Sequence, residues 1–247
     1  MRRLRRPALS TSAQNQLDRK QAAACRKLAK GSLQIESVWK SARQTKPLLA
    51  ALKALREMTG PRQRCVYCVD SHATDVEHFW PKAAYPDRMF VWANLLLSCT
   101  ECGRFKGEKF PLAEEEPLLV DPTSENPWRH LDFDPTTGNM TARFNTEADD
   151  WSPKGSKTVE ILQLDRREAL AAGYSKTFKR LAALVHRHLT AGDPSEAALV
   201  DALQESDDHG LLGWCLFAGG QEEPPFRELR TQRSTTWATC QQALRDR

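Results

Sequence analysis

The chain has 247 residues, 28% charged and 40% apolar, with a formal net charge of +4. That is enough for one good-sized core or two small ones, and the charge is too mixed and the aromatics too many for a wholly disordered chain. Uninterrupted apolar runs are short, Leu95–Leu97 among them, which excludes a transmembrane helix from the sequence pattern.

The charge is unevenly placed. Residues 1–30 carry nine Lys/Arg and one acid, Asp18, so this arm is +8 and the remaining residues sum to −4. Basic arms of this kind meet phosphate backbones or simply keep a helix solvated. The start, MRRLRRPALS, has no apolar segment behind it and does not read as a secretory signal. A reducing, cytoplasmic setting is therefore expected, in which seven cysteines are not a disulfide framework.

In chain order, the apolar spacing predicts a helix over 12–30. A second helical stretch over 33–58 is interrupted at Pro47 and stopped by Gly60-Pro61. Residues 61–112 are short segments punctuated by Gly and Pro. Residues 113–157 are rich in Pro and acids, with a β-hairpin expected in 131–144 about Thr137-Gly138-Asn139. Helical spacing returns from Thr158 to about Leu189 and is ended by Gly192-Asp193-Pro194, with further helices near 194–205 and 225–245. The reading is an α+β chain in three parts: a basic helical region 1–60, an irregular metal-bearing module 61–118, and a hairpin with helices over 119–247.

The chemistry concentrates in 61–112. Cys65/Cys68 and Cys99/Cys102 are two C-x2-C pairs, the pattern of a four-thiolate structural zinc site. Four buried reduced thiols, or one redox pair, are the rival readings. Cys25, Cys215 and Cys240 are scattered and read as ordinary thiols.

Between and after the pairs stand Glu77-His78, Pro81, Trp92-Ala93-Asn94-Leu95, and Cys99-x-x-Cys102-Gly103-x-x-Lys106-Gly107. Together these resemble the HNH endonucleases, which have the ββα-metal fold. The resemblance implies a zinc-stabilised ββα-metal module flanked by N- and C-terminal helical regions. It implies His78 as general base, Glu77 as a ligand to a catalytic divalent ion such as Mg2+, and Asn94 as the residue that orients the loop bearing the histidine. Lys106, and with it Arg104 and Lys82, would contact phosphates. The bland readings are a surface Glu-His pair, a helix-capping Asn94, and solvated Lys106 and Arg104. Trp80 and Trp92 read as packing residues.

Two positions depart from the HNH pattern. Glu77 stands where an Asp is usual, and Gly103 where Asn or His supplies a second ligand to the ion. Three explanations stand open: water or a backbone carbonyl takes that place, Glu101 or Glu108 swings in, or the site is weakened, leaving a protein that binds nucleic acid but cuts poorly.

Further strings, Val76-Glu-His-Phe-Trp-Pro-Lys82, Pro117-Leu-Leu-Val-Asp-Pro122 and Thr158-Val-Glu-Ile-Leu-Gln-Leu-Asp165, extend the likeness over roughly residues 61–185. They resemble the PtuB-like HNH nucleases of bacterial antiphage defence, the Septu and retron-associated type. That resemblance implies a DNA-cleaving effector working with a separate ATPase. A zinc-stabilised binding module without catalysis, and an RNase of the same fold, are the alternatives. Residues 61–112 alone carry only +1, so a phosphate-binding field would need the N-terminal arm or a partner.

Overall fold

The computed structural model describes residues 1–191 and 195–245. The chain is α+β, mostly helical, with four two-stranded antiparallel sheets among the described residues. No described helix is long and apolar enough to cross a membrane. Two compact units are present, one of Leu4–Tyr67 with Ser71–Pro117, the other of Met1–Arg3, Cys68–Asp70 and Leu118–Arg247.

In the first unit, α1 (Thr11–Ala29) starts at Ser10, whose hydroxyl accepts from Ala13 N and satisfies one of the free amides of the first turn. Its inward stripe is Ala13, Leu17 and Ala24. The stretch predicted as interrupted at Pro47 is two helices, α2 (Ile35–Ala42) and α3 (Lys46–Thr59). Pro47 sits in the first turn of α3, where its missing N–H costs nothing, and Gly60 ends α3 at φ 85°. Strands β1 (Asp75–His78) and β2 (Leu95–Ser98) pair in the register Asp75↔Ser98 through His78↔Leu95. Helix α4 (Thr100–Lys106) follows directly, and β3 (Leu112–Ala113) with β4 (Glu116–Pro117) closes the unit.

The second unit opens with the expected hairpin, β5 (Leu131–Phe133) and β6 (Met140–Ala142). Asp134 organises the turn: its carboxylate accepts from Thr136 N and from the Thr137 hydroxyl. Gly138 is at φ 80°, and a Cβ there would overlap the Ala171 carbonyl, so both backbone and space demand glycine. A second small hairpin, β7 (Phe144–Asn145) with β8 (Asp150–Trp151), precedes α5 (Pro153–Leu162). Ser152 caps α5 and also bonds His130 Nδ1 at 3.0 Å, while His130 Nε2 meets Glu125 at 2.9 Å and Lys154 meets the same carboxylate at 3.1 Å. This network ties the hairpin to the helix start.

Three helix expectations need correction. The single helix over 158–189 is α5 and α6 (Glu168–Thr190), separated where Gln163 adopts the left-handed conformation at φ 51° and Leu164 N bonds back to Val159 O. The start moves forward to Pro153 because Ser152-Pro153 is a cap and first-turn pair. The expected stop at Gly192-Asp193-Pro194 lies outside the described residues. After α7 (Glu196–Ser206) comes α8 (Leu212–Phe217), which the periodicity gave no sign of: Leu212, Trp214, Cys215 and Leu216 are all buried, so no polar face marks it. The helix expected over 225–245 is α9 (Phe226–Gln232) and α10 (Ser234–Arg245), broken at Arg233. Within the same unit, Tyr174 Oη donates to Cys68 O at 2.6 Å, and His209 bonds Thr177 at 2.7 Å and Asp70 at 3.0 Å.

One consequence is directly testable. A Cβ on Gly155, inside α5, would overlap the His130 carbonyl. Gly155→Ala, which raises helix propensity by ~1 kcal/mol in an open helix, is therefore expected to lower the melting temperature. A higher melting temperature would show that α5 is free to shift away from His130.

Candidate metal centre and active-site residues

The thiols of Cys65, Cys68, Cys99 and Cys102 lie within 4.8 Å of one another and are all buried. Local structure makes this convergence. The turn after Cys65 is held by Cys65 N to Ser71 O and Val66 N to Leu97 O, and Val69 takes φ 54°. Cys99 is the cap residue of α4, its sulfur accepting from Cys102 N at 3.4 Å, so the helix start sets the second pair. Tetrahedral Zn–S bonds of ~2.3 Å place sulfurs about 3.8 Å apart, and the cluster suits such an ion. A cluster of this kind is able to bind a metal such as zinc.

The register of the β1–β2 ribbon sorts the remaining residues by face. Asp75, Glu77, Leu96 and Ser98 share the face covered by α4, and Val76, His78, Leu95 and Leu97 share the other. On the α4 face, Thr100 donates to Asp75 at 2.9 Å. Lys106, expected at a phosphate, is instead fully buried, its ammonium donating to Glu77 Oε1 at 2.9 Å and to His78 O at 2.7 Å. Burial pushes its pKa down, and the Glu77 carboxylate opposes that shift. Gly103 lies on the same side of the ribbon. A Cβ there would stand 3.4 Å from both Glu77 Oε2 and Ser98 Oγ. Ser98 is 0% exposed, and its hydroxyl has no hydrogen-bond partner among the described residues. An orphaned buried hydroxyl costs on the order of 1–3 kcal/mol.

His78 is the last residue of β1 and is buried. Its ring packs edge-on against Trp39 of α2 at 4.3 Å. Nε2 lies 3.0 Å from the Met89 carbonyl, which only accepts, so Nε2 carries the proton and Nδ1 keeps its lone pair. Burial is the main cause that holds the His78 pKa down to about 3, with Lys82 and Lys106 adding to it and the Met89 bond opposing. The imidazole is therefore neutral at neutral pH.

Asn94 is not a helix cap. Its Oδ1 accepts from Trp80 N at 2.7 Å, and its Nδ2 donates to Trp80 O at 3.1 Å and Arg88 O at 2.9 Å. It thus clamps both ends of the loop that follows His78. That clamp is itself braced by the N-terminal arm: the Arg6 guanidinium donates to Trp92 O at 2.9 Å, Ala93 O at 3.1 Å and Leu95 O at 2.7 Å. Part of the +8 arm is thus spent on backbone carbonyls. Lys82 pairs with Glu36 at 2.8 Å, and Arg104 is exposed, its guanidinium 5.6 Å from the Phe105 ring centre. Sequence reasoning gave no role to Arg6 or Ser98. An arginine in a basic run and a serine before a cysteine carry no signal until the ribbon is folded.

These features define an α+β protein with a buried four-cysteine cluster beside a strand–strand–helix unit that carries a buried histidine. No family model matches the chain. It is similar to proteins named Septu protein PtuB, at 34% identity over 122 residues with that of Bacillus thuringiensis, covering 47% of this chain and 42% of that protein. With that of Bacillus mycoides strain KBAB4 the identity is 32% over 137 residues, covering 42% of this chain and 44% of that protein. The chain is a PtuB-like relative over that stretch, and its matched part spans less than half the length of these curated relatives.

Proposed function

We propose that the chain is an HNH endonuclease that hydrolyses DNA phosphodiester bonds in an antiphage defence system of Septu type, acting with a separate ATPase. The observation that carries the nuclease reading is His78: a buried, neutral imidazole whose Nε2–H is fixed on Met89 O, leaving Nδ1 as the basic atom. In this reading β1–β2–α4 is the ββα module, and the four cysteines hold structural zinc that fixes where α4 begins. Asn94 positions the loop after His78, and Arg6 braces Asn94. A base held at about 3 is always unprotonated at neutral pH but weak. An approaching anionic phosphate favours the imidazolium and raises it toward a useful range. A divalent ion such as Mg2+ bound at Glu77 would stabilise the charge developing on the phosphate. Lys106 orders Glu77 rather than touching substrate, which leaves Arg104 and Lys82 for phosphate contact. The names of the relatives support the defence setting, and the near-neutral charge of residues 61–112 supports a partner.

A second reading, a zinc-stabilised binding module with weak or lost catalysis, is favoured by one observation: the Glu77 carboxylate is already neutralised by a buried ammonium, and position 103 offers no ligand. The test separates the two. The zinc-loaded chain, alone and with any ATPase found encoded beside it, is incubated with supercoiled plasmid and with structured RNA in Mg2+ or Mn2+. DNA nicking abolished by EDTA is expected. RNA cut in preference to DNA would make it an RNase, and no cutting in either arm would leave the binding module.

A further inference from the structure

We propose that α2 is an autoinhibitory lid: Trp39 covers the His78 imidazole, Glu36 holds the Lys82 ammonium in place of a substrate phosphate, and the site opens when α2 swings away. What the opened site does rests on the endonuclease reading. That α2 covers His78 rests on geometry alone.

A general base reaches its water only within hydrogen-bonding distance, and that water must also face the scissile phosphate. His78 is 5% exposed, too little to admit a phosphodiester and its attacking water. One helix supplies two of the groups that close it. The Trp39 ring stands edge-on to the imidazole at 4.3 Å and leans on Phe90 at 5.8 Å, next to the Met89 whose carbonyl fixes His78 Nε2. Glu36, three residues earlier and so on the same side of α2, meets Lys82 at 2.8 Å. Lys82 lies close enough to His78 for its charge to disfavour the imidazolium, so the four side chains form one patch. A carboxylate oxygen on an ammonium makes the same charge-assisted bond that a phosphate oxygen would make. Glu36 therefore stands where the substrate backbone would sit on Lys82.

The helix is also lightly attached. It has eight residues, Trp39 and Ala42 are its buried ones, and Gln34 gives it no side-chain cap. A helix so short and uncapped keeps its form mainly through docking. Before it comes Gly31, left-handed at φ 63° with open space around it, and after it the exposed Arg43 and Gln44. Such surface connections absorb the backbone rotation of a hinge. The Glu36 side chain is 78% exposed, and a pair of that kind is weak enough for a polyanion to displace.

The rival is a fixed wall, in which α2 never leaves and Trp39 merely orients His78. The experiment labels the zinc-loaded full chain with diethyl pyrocarbonate at neutral pH, where the neutral His78 reacts once the reagent reaches it. Labelling is mapped by mass spectrometry against the exposed His72 and His186. Wild-type His78 is expected to label far more slowly than those two. Glu36→Lys, at an exposed position that does not threaten the fold, is expected to speed His78 labelling roughly fivefold, the factor that loss of an exposed ion pair allows. Lys82→Glu is expected to do the same, and the charge-swapped double variant Glu36→Lys with Lys82→Glu to restore slow labelling. Plasmid nicking by Glu36→Lys is expected to exceed that of wild type. The lid is overturned if wild-type His78 labels as fast as His72, if neither charge change speeds its labelling, if the swap fails to restore protection, or if Glu36→Lys nicks less than wild type. The labelling needs no substrate, which keeps the two readings apart. Faster labelling with no nicking in any sample sinks the endonuclease and upholds the lid. Nicking with His78 labelling unmoved by either charge change sinks the lid and spares the endonuclease.

Discussion

Cys99→Ser is expected to unfold the first compact unit at room temperature. Cys99 has two jobs in the structure, capping α4 and joining the four-thiol cluster. Serine is a good cap, so the substitution keeps the first job and removes the second. Structural zinc contributes an apparent ~10–16 kcal/mol at neutral pH, and a whole domain is stable by only about 5–15 kcal/mol. Three thiolates keep only part of that contribution, and losing a sizeable fraction of it is comparable with all that a marginal domain has to spare. The segment between the cysteine pairs has few long elements of its own: β1 and β2 are four residues each and α4 seven. The measurements are zinc content per chain, expected to be one in wild type, and circular dichroism and hydrogen exchange after chelation. Native-like melting at zero zinc would show that the four thiols are merely packed.

His78→Gln is expected to lower DNA cleavage by about 10²–10⁴-fold, the usual contribution of a positioned base. Glutamine is the sharper choice. Alanine would leave a hole against Trp39 and strand the Met89 carbonyl, while the glutamine amide still offers an N–H to that carbonyl but no basic atom. Zinc content and fold should survive. Cleavage at the wild-type rate would remove His78 from the chemistry. The same variant tests the environment of the ring. The folded pKa of His78, about 3, lies below the ordinary imidazole value of about 6.5, so its neutral form is favoured in the folded chain. The stability this confers is full above about 6.5 and is lost as pH falls toward 3, by up to ~1.4 kcal/mol per pH unit. Urea unfolding of wild type and His78→Gln between pH 7.5 and 5 should show a steeper loss in wild type, since any loss of zinc in acid affects both and cancels in their difference.

Much of the first unit was legible because its signals are local. Ser10, Pro47 and Gly60 are caps and breaks that act within one turn, and the C-x2-C spacing encodes its own geometry. The four thiols converge because each pair needs only a turn or a helix start to aim its sulfurs. The β5–β6 hairpin was legible for the same reason, through Asp134 and Gly138. Helix α8 was not, since a segment buried all round has no polar phase, and neither was the division of 158–189, where one left-handed residue at Gln163 interrupts a spacing that otherwise runs on.

For the site, the sequence by itself determined the cast: four cysteines in matched pairs, Glu77 beside His78, Asn94 before an apolar strand, and no side chain at 103. Tertiary structure decided what each of them does. Only the pairing of β1 with β2 puts Glu77 and Ser98 on one face and the His78 ring on the other. Only the packing of α4 buries the Lys106 ammonium against Glu77, a position that a lysine near a turn does not announce. Only the fold of the N-terminal arm turns Arg6 from a free charge into a brace on residues 92–95. The physical reason is common to all three. Caps, turns and cysteine spacings are settled by neighbours within a few residues, whereas the state of a charge or a hydroxyl is settled by which distant groups exclude water from it.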